Sequence, residues 1–255
     1  MFALERYQAI KNLICEKGSV SISELTALFG VSSETIRKDL LILERDKVLI
    51  RTHGGAVNAK NHSTIMPFKE RLKSNVEGKV ELCRYAAKYI KNGDTISIDA
   101  GSTAIELAKL VSSMFSRLTV VTHCLDVFNI LSKNDGIDLV LCGGEYNREE
   151  NSFTGNITVE SIDKIHTEKA FVFPSGVSLK YGVTDYDGGF LRIQKAMMDN
   201  ADKVFILADS DKYEKAAYTK LCSVTQEHIY ITDSAISQEI YNLYRENKIN
   251  IVAGK

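Results

Sequence analysis

Two short helical patterns, a tight turn, an apolar strand and a glycine pair follow one another within residues 19–57, and few folds accommodate that order. The first pattern begins after Ser21, and Glu24 three residues later completes a capping box. Gly30 fits the left-handed position that ends a helix, and Ser32 fits the N-cap of the next helix. Together these signals predict a winged helix-turn-helix.

The helix predicted over residues 33–45, which follows an earlier one over residues 4–16, is the candidate for reading DNA. Ile36, Leu40 and Leu43 fall on one face and are expected to pack in the core. The opposite face of its first half is polar and basic, and in helix-turn-helix proteins that half enters the major groove. The predicted DNA-contacting residues are Ser32, Ser33, Thr35, Arg37 and Lys38 in this region and Arg51, His53 and Gly54 in the wing.

The charge of the chain limits how it could bind DNA. The net charge is -1, so a basic surface must be local and cannot extend over the whole protein. Asp39 and Glu44 lie within the candidate helix and are expected to dilute its positive charge. Taken alone, Arg37 and Lys38 more often mark the solvated face of a small helical bundle, and only the complete order of elements favours DNA binding. We expect two heads of a homo-oligomer, a dimer or a tetramer, on a symmetric double-stranded operator.

The composition is that of an ordinary soluble globular protein, with 44% hydrophobic and 25% charged residues. No apolar run approaches the ~18 residues that a membrane helix needs, and the first residues do not resemble a signal peptide. The five cysteines are scattered, without Cys-x-x-Cys pairs. We therefore predict reduced, mostly buried thiols in a cytoplasmic protein, with no metal and no cofactor.

The chain divides into a predicted DNA-binding domain at residues 1–57 (the head), a linker at residues 58–75, and a second domain at residues 76–255 (the body). In the body, short apolar strand patterns alternate with helical patterns, which predicts an α/β fold with a mainly parallel sheet. The strand patterns lie at residues 95–98, 118–121, 139–142, 170–173, 204–208, 229–232 and 249–252. Ligands of such sheets bind beyond the carboxyl ends of the strands.

Small, hydroxyl-bearing or charged residues follow five of these strands. Residues 99–103 open a helix, where free amides and two hydroxyls could hold an anion, although such a sequence alone is more often a plain cap. Asp209 and Lys212 could bind sugar hydroxyls and phosphate charge. The shared edge predicts a site for a phosphorylated small molecule. Its predicted members are Asp99, Gly101, Ser102, Thr103, Thr122, His123, Gly143, Gly144, Ser175, Gly176, Asp209 and Lys212.

Residues 31–40 (VSSETIRKDL) and 51–56 (RTHGGA) resemble the N-terminal signature of the DeoR family of bacterial transcription regulators. Landmarks similar to those of its sensor domain occur at residues 99–103, 121–122, 143–144, 175–177, 182–185, 207–209 with Lys212, and 231–233. The resemblance implies a body similar in fold to sugar-phosphate isomerases and a repressor released by a phosphorylated sugar or related metabolite. His123 stands where the family usually has asparagine, and the segment 188–192 interrupts a normally acidic stretch.

We therefore expect a sequence-specific transcription regulator, most simply a repressor of carbohydrate-metabolism genes controlled by a phosphorylated sugar. Two alternatives stay open. The body could serve only for oligomerisation and contain a vestigial pocket, because pocket positions differ from the family pattern. It could instead be an isomerase-like or hydrolytic enzyme that uses groups such as Asp99, His123 and Asp185. Since no nucleophile–base set or paired carboxylate is recognisable and a fold alone does not imply activity, we do not expect an enzyme.

Overall fold

The structure is a computed structural model and describes residues 3–17, 19–46, 48–52, 54–58 and 66–254. The predicted wing residue His53 and residues 59–65 of the predicted linker lie outside the described residues.

The head contains three helices and a three-stranded antiparallel sheet, which is the predicted winged helix-turn-helix. Its elements are α1 (Ala3–Lys17), β1 (Ser19–Ser21), α2 (Ile22–Phe29), α3 (Ser33–Arg45), β2 (Leu49–Thr52) and β3 (Gly55–Asn58). The sheet order is β1-β3-β2. The predicted caps are confirmed, because Ser21 accepts from the Glu24 N–H at 3.0 Å, Gly30 has a φ of 64°, and Ser32 accepts from the Thr35 N–H at 3.2 Å.

The core of the head is built on the apolar face predicted for α3. Ile36, Leu40 and Leu43 are at most 1% exposed and pack with Ile10 and Leu25 from the other two helices. Strands β1 and β3 were not predicted, because segments of three or four residues are too short to show an alternating pattern. They become strands through pairing with each other and with β2.

A buried ion pair joins α1 to α3. The guanidinium of Arg6 donates to both carboxylate oxygens of Asp39, at 2.8 and 3.1 Å. The two side chains are only 10% and 5% exposed. The expectation that Asp39 dilutes the positive charge of the DNA-reading surface is therefore wrong, because this carboxylate faces the interior and is neutralised there.

The body is an α/β unit, as predicted. A short helix, α4 (Phe68–Arg71), precedes it in the linker. The elements of the body are α5 (Val76–Ala87), β4 (Thr95–Ile98), α6 (Ser102–Met114), β5 (Leu118–Thr122), α7 (Leu125–Leu131), β6 (Ile137–Leu141), β7 (Glu145–Asn147), β8 (Ser152–Thr154), α8 (Asn156–Ile162), β9 (Thr167–Val172), β10 (Gly176–Ser178), β11 (Gly182–Asp185), α9 (Gly188–Asp199), β12 (Ala201–Leu207), β13 (Thr219–Cys222), β14 (Ile229–Ile231), α10 (Gln238–Glu246) and β15 (Asn250–Val252). The main sheet has seven strands in the order β15-β14-β12-β9-β4-β5-β6, and every pairing in it is parallel.

The direction in which successive strands are added to the sheet reverses next to β4. From β4 the chain proceeds outward through β5 to β6, and it then returns to β9 on the opposite side of β4. The two connections therefore leave β4 and β9 in opposite directions, which is the topological switch point where open α/β sheets bind ligands.

Helices cover both faces of the sheet. Val120 and Phe171 join a core cluster with α5, α6 and α7, whereas their neighbours Val121 and Ala170 pack with residues of α8 and α9. This accounts for the continuously apolar strand patterns of the sequence. Among the described residues, no helix is long and apolar enough to cross a membrane.

Two small antiparallel units were missed by the sequence patterns. They are the hairpin β7-β8 and the sheet β10-β11-β13, whose strands have only three or four residues each. The hairpin lies over the end of β5, because the Phe153 N–H donates to the His123 carbonyl at 2.9 Å and the Leu125 N–H donates to the Asn151 carbonyl at 3.0 Å. This position decides which strand ends can reach a ligand.

Candidate functional site

The first half of α3 presents an exposed polar and basic surface. The side chains of Ser33, Arg37 and Lys38 are exposed, while Ile36 on the other face is fully buried. Ser32 is also exposed, and its hydroxyl lies 2.9 Å from that of Thr35. This geometry leaves Arg37 and Lys38 able to donate to phosphates or to guanine edges.

Two of the predicted wing residues, Arg51 and Gly54, contact other parts of the protein. Arg51 Nε contacts the Glu44 carboxylate at 2.8 Å, so part of its charge is neutralised inside the head. Gly54 lies against the body, where a Cβ at its position would come within 2.5 Å of the Tyr218 hydroxyl. In this arrangement α3 is the more accessible part of the predicted DNA-binding surface.

A cleft of about 990 Å³ lies at the carboxyl ends of β12, β9 and β4, three adjacent strands of the main sheet. It spans the switch point between β9 and β4. The residues that line it just after these strands are Ala100 and Ser102, Phe173 and Ser175, and Asp209 and Lys212.

One end of the cleft has the chemistry of a phosphate cradle. Gly101 is the N-cap of α6 and has a φ of 138°, which glycine adopts readily. Ser102 then opens the helix and lines the cleft together with Lys79 and Lys212. The first N–H groups of a helix lack intrahelical acceptors and carry the positive end of the helix dipole. A hydroxyl, free amides and two ammonium groups together can hold a phosphate.

Lys79 is 3% exposed and connects the cradle to the segment that leads from the head. Its Nζ donates to the Arg71 and Ser74 carbonyls, the latter at 2.7 Å. Burial lowers the pKa of Lys79, and nearby Asp209 opposes this shift. Burial also raises the pKa of Asp209, against the effect of Lys212 and Lys79. An anion in the cleft would stabilise the charged form of Lys79, which burial alone disfavours.

Asp99 is fully buried beneath the cleft and takes part in four hydrogen bonds. The Ala100 N–H donates to Oδ1 at 2.7 Å, and His123 Nε2 lies 2.9 Å from the same oxygen. The Phe173 N–H and Gln194 Nε2 donate to Oδ2 at 3.3 and 3.0 Å. Asp99 therefore fixes the ends of β4, β5 and β9 and the helix α9 relative to one another.

His123 completes this network from the covered side. Its Nδ1 lies 2.8 Å from the Phe153 carbonyl oxygen, and its Nε2 lies 2.9 Å from the Asp99 carboxylate. The Phe153 carbonyl can only accept, so Nδ1 carries hydrogen and the bond between Nε2 and Asp99 contains one further proton. His123 and Asp99 therefore satisfy each other inside the protein.

Asp185, at the end of β11, lines the cleft beside this network. Its Oδ1 accepts from the Ser175 hydroxyl and the Tyr186 N–H, both at 2.7 Å, and its Oδ2 accepts from Gln194 Nε2 at 3.1 Å. Burial raises the pKa of the Asp185 carboxyl, and these hydrogen bonds oppose the shift.

Of the predicted ligand residues, Ser102, Ser175, Asp209 and Lys212 line the cleft. The others do not line it, although Gly101 lies between the lining residues Ala100 and Ser102; they are Asp99, Gly101, Thr103, Thr122, His123, Gly143, Gly144 and Gly176. The hairpin β7-β8 covers the end of β5, where the Phe153 N–H donates to the His123 carbonyl at 2.9 Å, and Thr122 Oγ1 donates to the Ile98 carbonyl at 2.7 Å. For Thr122 and His123 the structure therefore shows internal hydrogen bonds, whereas a ligand role for Gly143 and Gly144 at the end of β6 stays a prediction.

Several lining residues were not among the predicted ligand residues, namely Arg71, Lys79 and Gln194, and Asp185 was named only as a candidate acid–base group of the enzyme alternative. Lys79 has a sequence signal, since it lies on the same helical face as Leu82 and Cys83, where a lysine is unusual. Arg71 and Gln194 have no local signal, because only the tertiary fold brings them to the strand ends. Among the described residues, no group of three or more His, Cys, Asp and Glu side chains could hold a metal ion.

The two parts of the chain match two family models. Residues 6–62 match the DeoR-like helix-turn-helix domain, and residues 74–234 match the DeoR C terminal sensor domain. The HTH-type transcriptional regulator YulB of Bacillus subtilis (strain 168), described as uncharacterized, is 31% identical over 253 residues, covering 99% of this chain and 97% of YulB. The lactose phosphotransferase system repressor of Lactococcus lactis subsp. lactis is 32% identical over 236 residues, 92% of each chain. The glycerol-3-phosphate regulon repressor of Escherichia coli (strain K12) is 27% identical over 247 residues, 97% of each chain.

Solved structures similar to the body include two ribose-5-phosphate isomerases. One is in complex with phospho-erythronic acid and aligns with a TM-score of 0.40 and 17% identity over 58% of this chain and 55% of that chain. The other, from Methanocaldococcus jannaschii, aligns with a TM-score of 0.41 and 18% identity over 55% of each chain.

Proposed function

This chain belongs to the DeoR family of transcription regulators, and we propose that it represses its target genes until a phosphorylated sugar occupies the cleft of the body. The observation that carries the proposal is the cradle at the switch point, where Ser102 at the start of α6 and the ammonium groups of Lys79 and Lys212 line one cleft. Relatives named for a glycerol-3-phosphate regulon and for a lactose phosphotransferase system support the choice of effector class.

The head would act as the DNA-binding domain of a cytoplasmic homo-oligomer. We propose residues 1–57 as this domain, with α3 in the major groove of each half-site and the half-sites about one helical turn apart, or multiples of that. The body at residues 76–255 would hold the two heads at the required spacing. An effector that prefers another arrangement of the body would shift the population away from the DNA-competent state, with a typical coupling of ~1–3 kcal/mol.

The cleft is proposed to bind its ligand without converting it. Asp99 and His123, the strongest acid–base candidates of the sequence, satisfy each other inside the protein and do not line the cleft. Incubation with pentose and hexose phosphates, followed by NMR, should therefore show no turnover. Rapid conversion of any of them would contradict this part of the proposal.

Replacing Arg37 by alanine should lower operator affinity by roughly 10- to 100-fold, since one base-contacting arginine contributes about 1–3 kcal/mol. The measurement is a gel-shift titration on DNA that the protein selects from its own genome. Arg245→Ala, an exposed arginine of α10, is the matched control and should bind DNA like the parent. Equal DNA binding by Arg37→Ala and the parent would refute the role of Arg37. As a control for folding, both variants should bind phosphate like the parent, which would show that the body is intact.

Replacing Lys79 by methionine should weaken phosphate binding by about 10-fold or more, because the variant loses a charge-assisted hydrogen bond from a buried ammonium. Titrations with inorganic phosphate and with glucose 6-phosphate measure the loss directly. Lys91→Met, at an exposed lysine just after α5, is the control. Lys79→Arg keeps the charge and should retain part of the affinity.

The same titrations separate a functional cleft from a vestigial one. A ligand at 100 times its dissociation constant should add ~2.7 kcal/mol to the free energy of unfolding and raise the melting temperature accordingly. If the parent responds to neither inorganic phosphate nor any member of a broad sugar-phosphate panel, the body serves oligomerisation alone and the proposed effector class is wrong.

A further inference from the structure

The orientation of the Gln194 side chain is determined by its two neighbours. Its Nε2 lies 3.0 Å from Asp99 Oδ2 and 3.1 Å from Asp185 Oδ2, so both amide hydrogens are directed at carboxylate oxygens. In the flipped orientation the amide oxygen would face both carboxylates and be repelled. The amide hydrogens are therefore fully used, and the amide oxygen is directed elsewhere.

That amide oxygen has no hydrogen-bond partner within the described structure. Gln194 is 2% exposed, and its Oε1 is among the buried polar atoms without a partner. A buried acceptor left unpaired is costly, and native structures satisfy nearly all such groups. Gln194 also lines the cleft, so an occupant of the cleft can supply the missing donor.

The unpaired oxygen belongs to a region of the cleft that offers acceptors. Asp185, a half-buried residue, lines the same cleft. The cradle is adjacent, because Gln194 bonds to Asp99 and Ser102 follows only three residues later on the same loop. A small phosphate ester can therefore reach the cradle and the acceptors together.

We propose that Gln194 Oε1 and the Asp185 carboxylate form a subsite that selects effectors carrying a hydroxyl or amino group close to the phosphate ester. This inference rests on the proposed function and specifies its ligand chemistry. Hydroxyl and amino groups donate to both acceptors, whereas a carboxylate at the same position faces two acceptors and is rejected. Phosphorylated polyols and sugars are thus accepted, and phosphorylated carboxylic acids of the same size are excluded.

Glycerol 3-phosphate and 3-phosphoglycerate form a matched pair of probes, because they share one skeleton and differ in a terminal hydroxymethyl or carboxylate group. The parent protein should bind glycerol 3-phosphate at least about 10-fold more tightly, as expected for one hydrogen bond gained against one acceptor–acceptor contact. Inorganic phosphate is the third probe and reports the cradle alone.

Two variants test the role of Gln194. In Gln194→Lys the ammonium group still donates to Asp99 and Asp185 but offers no acceptor, so the fold is retained and the preference for glycerol 3-phosphate should disappear or invert. In Gln194→Met there is neither acceptor nor charge, so the ratio of the affinities for glycerol 3-phosphate and 3-phosphoglycerate should become smaller without inverting. Gln226→Lys, at an exposed glutamine before β14, adds the same charge elsewhere and should leave the preference unchanged.

The three probes distinguish the possible failures. Loss or inversion of the preference in Gln194→Lys and a smaller preference in Gln194→Met, with inorganic phosphate still bound by both variants, support the subsite. A parent protein that binds inorganic phosphate but does not discriminate the two esters overturns the subsite and leaves the cradle standing. A parent protein that binds none of the three overturns the proposed function together with this inference.

Discussion

Replacing Asp99 by alanine is expected to lower the free energy of unfolding of the body by ~3–5 kcal/mol. The carboxylate is fully buried and accepts hydrogen bonds from Ala100, His123, Phe173 and Gln194. Its removal leaves His123 and three further buried groups without their hydrogen-bond partner, which is among the most costly of single changes. Urea unfolding monitored by circular dichroism should show the transition of the body shifted downward by at least ~1 M.

Asp202→Ala is the matched control for Asp99. Asp202 lies on β12, its side chain is 60% exposed, and it contacts His166 at 3.2 Å. An exposed pair of this kind contributes little to stability, so the free energy of unfolding of the body should change by less than ~0.5 kcal/mol. An unchanged transition in Asp99→Ala would show that the network beneath the cleft is not a determinant of stability. Binding of inorganic phosphate should fall in Asp99→Ala even at temperatures where the body remains folded, because the loop before Ser102 loses its anchor.

The head could be predicted from the sequence in considerable detail because its signals are local. Ser21, Gly30 and Ser32 mark helix ends through bonds to residues within four positions, so a short window contains both partners. The apolar face of α3 is equally local, with Ile36, Leu40 and Leu43 on one side. The strands β1 and β3 escaped prediction because their partners are up to 38 positions away, as in the pairing of Ser19 with Val57.

The cleft was only partly predictable for the same reason. Alternation of strands and helices correctly placed the ends of β4, β9 and β12 on one edge, and hence Ser102, Ser175, Asp209 and Lys212 in one cleft. The sequence patterns did not show that the hairpin β7-β8 would cover the end of the neighbouring strand β5. His123 illustrates the consequence, because its position after a strand predicts a ligand contact while the folded hairpin supplies a carbonyl partner instead.

The charges of the head show a similar limit. Composition and spacing show that Asp39 lies among the basic residues of α3, but not that Arg6, 33 positions earlier, is its partner. Once the two are paired and buried, the exposed surface around Arg37 and Lys38 is more positive than the sequence indicates. The structure therefore strengthens the assignment of this surface to DNA.

Replacing Asp39 by alanine should unfold much of the head and abolish operator binding, although Asp39 does not face DNA. Breaking a buried ion pair by removing one partner costs several kcal/mol. We expect about 3 kcal/mol here, at the lower end of that range, because the head is small and its interior lies close to solvent. A core of this size supplies only ~3–5 kcal/mol in total, so the loss leaves little net stability. Gel-shift titration should show no specific complex, whereas inorganic phosphate still binds to the body.

A double variant distinguishes loss of a partner from loss of charge. In Arg6→Met with Asp39→Leu, both charges are replaced by apolar groups of similar size, so no charge is left buried and unpaired, and the head should regain stability to within ~1 kcal/mol of the parent. Its operator binding should return as well, since Arg37 and Lys38 are retained. Asp46→Ala, at the exposed C-cap of α3, is the single-site control and should match the parent. A double variant as unstable as Asp39→Ala would mean that the packing of these side chains, and not the compensation of their charges, holds α1 against α3.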